Sequence, residues 1–234
     1  MKLEQILDLN NEIISRFIKK CGLNLNFIGI HGSCLWKEIQ AVEDIDVVVV
    51  LKVLDCKLLK EIQTLHTQFT KLHLLPYSDS EIKCFPVHNR LQFFQGMINI
   101  FGSLDINPPR RKDLIDNLAI RLSDNIIIRS RNAFFDKGRM KYGDFLKFLP
   151  VMHKEIFWWW RTWYYIHSGI FMSDPNKLSQ YVPCESSRKI LLKYREKVYE
   201  DEEDEFFLIQ SVIPTMIQGL ESLKSNTNIL EGVI

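Results

Sequence analysis

The sequence predicts an α+β chain: a mixed sheet with helices in the first half, then an all-helical second half. Two observations carry this. The β-branched run Ile45 to Val53 lies between segments of helical period, which reads as a strand buried on both faces. After Asn107-Pro108-Pro109 the pattern turns almost wholly helical, so this Pro pair is the expected boundary. The chain is 46% hydrophobic and 25% charged over 234 residues. That composition supports real cores and excludes a disordered, collagen-like or low-complexity chain. The expected domains are residues 1–107 and 108–234.

Each element has a local reason. Leu3, Ile6, Leu7, Ile13, Ile14, Phe17 and Ile18 recur at helical spacing, predicting an amphipathic helix over 2–20 that Gly22 ends. Asn26 to Ile30 is a short apolar run and predicts a strand. A turn follows at Gly32-Ser33, and Cys34 to Gln40 is expected to start a short helix. Residues 55–72 read as helical. Glu81 to Val87 is expected as a strand ended by Pro86 or His88-Asn89. Leu91 to Phe101 is expected as a strand, or a strand and a turn.

The five cysteines are scattered, odd in number and without a CxxC spacing. A disulfide framework or zinc site is therefore not expected, and a reducing cytoplasmic setting fits. The start Met1-Lys2-Leu3-Glu4-Gln5 does not read as a signal peptide. The most apolar stretch, Ile156 to Phe171, is short for a bilayer and holds Arg161 and His167, so no membrane span is expected. A net charge of +1 gives no general case for nucleic-acid binding.

The informative constellation is Phe27-Ile-Gly-Ile-His-Gly32-Ser33, ten residues, then Asp44-Ile45-Asp46 opening the valine run. Carboxylates at i and i+2 on a strand point to one face. Side by side they repel unless a cation sits between them. Such oxygen ligands suit Mg²⁺, which keeps substrate phosphates among its other ligands. Gly32 allows close approach to a phosphate, Ser33 adds a hydroxyl, and a following helix start would offer N–H groups to an anion. A phosphate cradle beside metal carboxylates is what phosphoryl or nucleotidyl transfer needs.

These residues resemble the signature of the nucleotidyltransferase superfamily, hG[GS] followed by Dh[DE]h. The resemblance implies a polymerase-β-like nucleotidyltransferase domain, then a helical domain, with the active site between them. It also implies a third carboxylate on a later neighbouring strand, for which Glu81 is the first candidate and Asp79 the rival. The segments Glu81-Ile-Lys-Cys-Phe-Pro-Val, Leu91-Gln92-Phe93, Arg161-Thr-Trp163-Tyr164, Gly169, Asp174, Leu178, Pro183 and Arg195 are similar to aminoglycoside adenylyltransferases of the streptomycin/spectinomycin type. That likeness implies an antibiotic-resistance enzyme transferring AMP from ATP to a small-molecule hydroxyl. Asp44 and Asp46 would bind Mg²⁺, and Glu81 would act as metal ligand or general base. Gly32 and Ser33, with Lys193 or Arg195, would meet the nucleotide phosphates, and Trp163 would meet substrate.

Other features admit two readings. Trp158, Trp159, Trp160, Trp163, Tyr164 and Tyr165 crowd one helical segment, either as domain core or as cleft lining. Nine Lys/Arg against four Asp between Ile106 and Lys141 read as a solvated face, or as a patch near the triphosphate or a nucleic-acid contact. The acid run from Glu200 to Glu205 suits a helix start. The histidines show no ligand spacing, and His31 reads as a packed residue. Rival functions are nucleotidylation of a protein or tRNA, or a degenerate nucleotide-binding module. Nucleic acid is the less favoured partner, a membrane is not expected, and a monomer or dimer is.

Overall fold

A computed structural model describes residues 15–37, 42, 44–68, 72–135, 145–199 and 201–231. The chain divides into two compact units, Met1–Pro109 and Arg110–Ile234.

In the first unit, helix α1 covers residues 15–21, and the earlier part of the expected 2–20 helix lies outside the described residues. Strands β1 (Leu25–His31) and β2 (Ile45–Leu51) pair antiparallel. Helix α2 (Cys56–Gln68) then carries the chain to β3 (Leu72–Ser78), which runs parallel to β2. A parallel neighbour needs such a helical crossover, because no tight turn can return the chain to the same end. Strand β4 (Met97–Gly102) joins the free side of β1, so the sheet order is β3-β2-β1-β4.

β2 is buried on both faces, as its valine run predicts. Val47, Val49 and Leu51 pack with Phe17 of α1 and with Ile62 and Leu65 of α2. Val48 and Val50 pack on the opposite side with Phe27, Ile82 and Phe93. With apolar residues on both faces, a two-residue side-chain period still fixes which residue meets which core.

Three expectations for this unit are corrected. Residues 81–87 form no strand: α3 (Asp79–Lys83) and α4 (Val87–Gln95) occupy that stretch. The cause is a capping box. The Ser78 hydroxyl accepts from the Glu81 amide while the Glu81 carboxylate accepts from the Ser78 amide, which starts a helix. The strand lies earlier, at Leu72–Ser78, and contains Pro76. Proline fits there because β3 is an edge strand, needing hydrogen bonds on one side only. Of the strand expected over Leu91–Phe101, residues 91–95 belong to α4, and β4 begins only at Met97. The short helix expected from Cys34 to Gln40 is a single 3₁₀ turn, Ser33–Leu35, within the described residues; Glu38 to Ala41 lie outside them.

The second unit is helical: α5 (Arg111–Ile120), a π-helical stretch (Arg121–Ile128), α6 (Arg129–Phe135), α7 (Phe145–Ser168), α8 (Pro175–Ser179), α9 (Glu185–Glu196) and α10 (Glu202–Glu231). Its core centres on Trp159 and Trp160 of α7, both fully buried. The Trp159 indole N–H donates to the Leu118 carbonyl at 3.0 Å, which satisfies its polar edge inside the core. Arg121 is buried against Glu155, which also accepts from Asn125. The stretch Glu202–Ser225 of α10 is long and apolar enough to cross a bilayer by length and composition alone. Here its Phe206, Ile209, Val212, Met216 and Leu223 join the core around α7.

Candidate active site

The site is built from the strand register. Asp46, the second residue of β2, stands opposite His31 of β1 and His73 of β3. Directly opposed residues on neighbouring strands share a face. His31, Asp46 and His73 therefore form a row across three strands, at the end of β2 where the chain enters. His73 Nδ1 lies 2.9 Å from Asp46 Oδ1. The ring is about half exposed, at 53%, and the Asp46 carboxylate 27%, so the row opens to solvent on one side.

Gly32 makes room for the carboxylate. Its φ of 91° and ψ of −155° fall in a region essentially reserved for glycine. A Cβ there would also overlap Asp46 Oδ2. The space that a Cβ at Gly32 would fill is taken by the Asp46 carboxylate. Asp44, exposed just before β2, completes the group: one ligand atom each from Asp44, Asp46 and His73 lie within 4.8 Å of one another.

The remaining sequence candidates sit as follows. Ser33 opens the 3₁₀ turn after Gly32, on the same loop as the site. Glu81 is not brought to the Asp pair. Asp46 aligns with His73 near the start of β3, whereas Ser78, at its end, aligns with Leu51. Five residues of strand span about 16 Å. At that far end the Glu81 carboxylate accepts from the Ser78 amide at 2.7 Å and its hydroxyl at 2.9 Å. Asp79 accepts from Asn26 of β1 at 2.7 Å.

Lys193 and Arg195 belong to α9 in the helical unit. Lys193 Nζ donates to Glu205 Oε1 at 2.6 Å, and Glu205 is fully buried beside His153. Arg195 is exposed. Trp163 is half-buried against the helical core, meets Trp160 edge-on at 5.3 Å, and donates to the Gly219 carbonyl at 3.3 Å. In the basic 106–141 segment, Arg110 and Lys112 pair with Asp113 and Asp116, and Arg111 donates to the Ile166 carbonyl. Lys137, Arg139 and Lys141 lie outside the described residues, as does Glu200 of the acid run.

Hydrogen bonds from the Ser78 amide and hydroxyl hold the Glu81 carboxyl below the ordinary glutamate range. Burial pushes the Tyr77 phenol up, and the charges of Asp46 and Glu81 add to this. Two carboxylates and an imidazole are a donor set that fits a divalent cation. Asp44, Asp46 and His73 are the residues that would hold it.

His73 escaped the sequence reading. It lies 27 positions from Asp46, and no local spacing links them. The β2–α2–β3 crossover, legible as a strand, a helix and a second apolar run, was the available signal. His31 is packed as expected, its Nδ1 2.9 Å from Gln92 Nε2 and its ring edge-on to Phe93 at 5.9 Å.

No family model matches the sequence, and no curated protein matches it. Solved structures do. A spectinomycin adenyltransferase from Enterococcus faecialis, in a crystal structure with ATP and spectinomycin, is 15% identical with a TM-score of 0.54, over 89% of this chain and 98% of that one. The chain has a nucleotidyltransferase fold. A nucleotidyltransferase-like protein from Exiguobacterium sibiricum 255-15 is 11% identical over 93% of this chain and 75% of that one, with a TM-score of 0.37. Within the nucleotidyltransferase fold of this chain, the Gly32 turn and the Asp44–Asp46 pair meet at one end of β2, while Glu81 follows the other end of β3.

Proposed function

We propose that the protein transfers AMP from ATP to a hydroxyl of a small molecule, aminoglycoside-type antibiotics being the first acceptor class to test. The observation that supports this is the convergence of Asp44, Asp46 and His73 beside Gly32. It occurs on a fold shared with a spectinomycin adenyltransferase solved with ATP and spectinomycin. A divalent cation is part of the reading, and Mg²⁺ is the ion the family resemblance implies.

The cation, when bound, offsets phosphate charge and polarises the phosphoryl group. The chain's own residues do the rest. Asp44 and Asp46 bring negative charge to the open end of β2, where a cation offsets their mutual repulsion. Gly32 leaves space for the Asp46 carboxylate against the backbone. In the reaction, the acceptor oxygen bonds to the α-phosphorus, the α–β phosphoanhydride bond breaks and pyrophosphate leaves. The hydroxyl proton passes to water at this exposed edge. Glu81, bonded to Ser78 past the far end of β3, has no part in that step.

The test offers α-labelled ATP, a divalent cation and a panel of hydroxylated acceptors, including spectinomycin and streptomycin, to the purified full chain. Label is expected to move to an acceptor. Asp46→Asn is expected to lower the transfer on the order of 100-fold with an unchanged circular-dichroism spectrum. Label remaining in ATP with every acceptor, or full transfer by Asp46→Asn, defeats the proposal.

A further inference from the structure

We infer that His73 is a direct ligand of the cation held by Asp44 and Asp46, and that the site consequently prefers Mn²⁺ to Mg²⁺. The inference rests on the functional reading above and names its metal.

The geometry comes first. Neighbouring donors at right angles around a six-coordinate ion, with bonds of about 2.1 Å, stand about 3.0 Å apart. The His73 Nδ1 to Asp46 Oδ1 separation is 2.9 Å. A tetrahedral zinc centre with bonds of about 2.0 Å sets its donors about 3.3 Å apart instead. The spread of all three donors within 4.8 Å leaves room for one ion among them. The pairing is imposed by the backbone: the register of the parallel strands puts Asp46 and His73 side by side, and the absence of a Cβ at Gly32 leaves the carboxylate room to stand there.

The donor chemistry comes second. Among the described residues, no third carboxylate joins this group; Glu81 is bonded to Ser78 instead. The third donor is an imidazole. Mg²⁺ favours an all-oxygen shell and gives up water reluctantly. Nitrogen donors favour first-row transition ions, among which Mn²⁺ best tolerates two carboxylates in an octahedral shell. The half-exposed ring and the exposed Asp44 leave the outward positions to phosphate oxygens and water.

The experiment uses the full chain with Mn²⁺ alone, followed by electron paramagnetic resonance, with pulsed detection of coupling to an imidazole nitrogen. Mg²⁺ is then added in competition. The wild type is expected to show nitrogen coupling and to bind Mn²⁺ on the order of tenfold more tightly than Mg²⁺. His73→Asp is expected to keep Mn²⁺ binding, lose the nitrogen coupling and bring the two affinities close together. His73→Gln is expected to lose the coupling as well. Mn²⁺ bound without nitrogen coupling in the wild type, a preference unchanged in His73→Asp, or no Mn²⁺ binding overturns the inference. Transfer of labelled AMP, measured on the same preparations, separates the two claims. Transfer without nitrogen coupling sinks the ligand assignment alone; nitrogen coupling without transfer sinks the functional reading alone.

Discussion

Gly32→Ala is the sharpest perturbation of this site, because two penalties act there and can be measured apart. The backbone at Gly32 has φ 91° and ψ −155°, which costs a residue with a Cβ about 1–3 kcal/mol. The same Cβ would overlap Asp46 Oδ2, so the carboxylate must turn and give up its 2.9 Å approach to His73. Gly22→Ala is the matched control. Gly22 also has a positive φ, 52°, but its Cβ would meet nothing within 4 Å, so it carries only the left-handed strain of about 1–2 kcal/mol. Urea denaturation should therefore show both variants destabilised. Only Gly32→Ala should also lose cation affinity, on the order of tenfold or more, equivalent to about 1.4 kcal/mol. The readout is Mn²⁺ titration by paramagnetic resonance, with AMP transfer alongside. If Gly32→Ala binds Mn²⁺ as well as Gly22→Ala does, the reasoning that Gly32 positions Asp46 is refuted.

Four further predictions test assignments in the two units. Ser78→Ala should destabilise the sheet unit by about 1 kcal/mol through loss of the cap, with AMP transfer retained, as seen in denaturation curves and the transfer assay. Because the folded Glu81 carboxyl is held below its unfolded range, its contribution is present above the unfolded value and is lost as pH falls through the folded one. Acid unfolding of Glu81→Gln should consequently be less steep than that of the wild type. Lys193→Met leaves Glu205, fully buried, without its ammonium partner. It should cost about 3–5 kcal/mol in thermal unfolding, a loss that Lys193→Met combined with Glu205→Leu should largely recover. Gly219→Ala should destabilise despite a helix-propensity gain of about 1 kcal/mol, since its Cβ would stand 2.9 Å from Trp163 Nε1; thermal unfolding gives the sign.

Much of the fold was legible because it is written in short-range pattern. The valine run of β2, the apolar β1 and the helical period after Pro109 each announce an element through local side-chain chemistry. So does the Gly-Ser turn followed by Asp44 and Asp46. The capping box Ser78-Asp79-Ser80-Glu81 was equally local, and it replaces the strand expected at 81–87 with a helix start. Pro76 obscured the true strand, since proline within a run argues against a strand until the run is known to be an edge.

Taken alone, the sequence determined the two structural classes in the chain and the elements bearing the Gly-Ser turn and the paired aspartates. Such properties depend on residues a few positions apart. Only the tertiary structure decided the third partner. His73 stands beside Asp46 because a parallel crossover through α2 aligns β3 with β2 in one register, and a slip of one residue would turn it to the other face. The same fold committed Lys193 to Glu205 and the Trp163 indole N–H to Gly219. The Lys193 pair lies on successive helices, but helix packing decides which polar group reaches which. That packing is set by burial summed over whole elements, and that sum is not carried by the spacing of any motif.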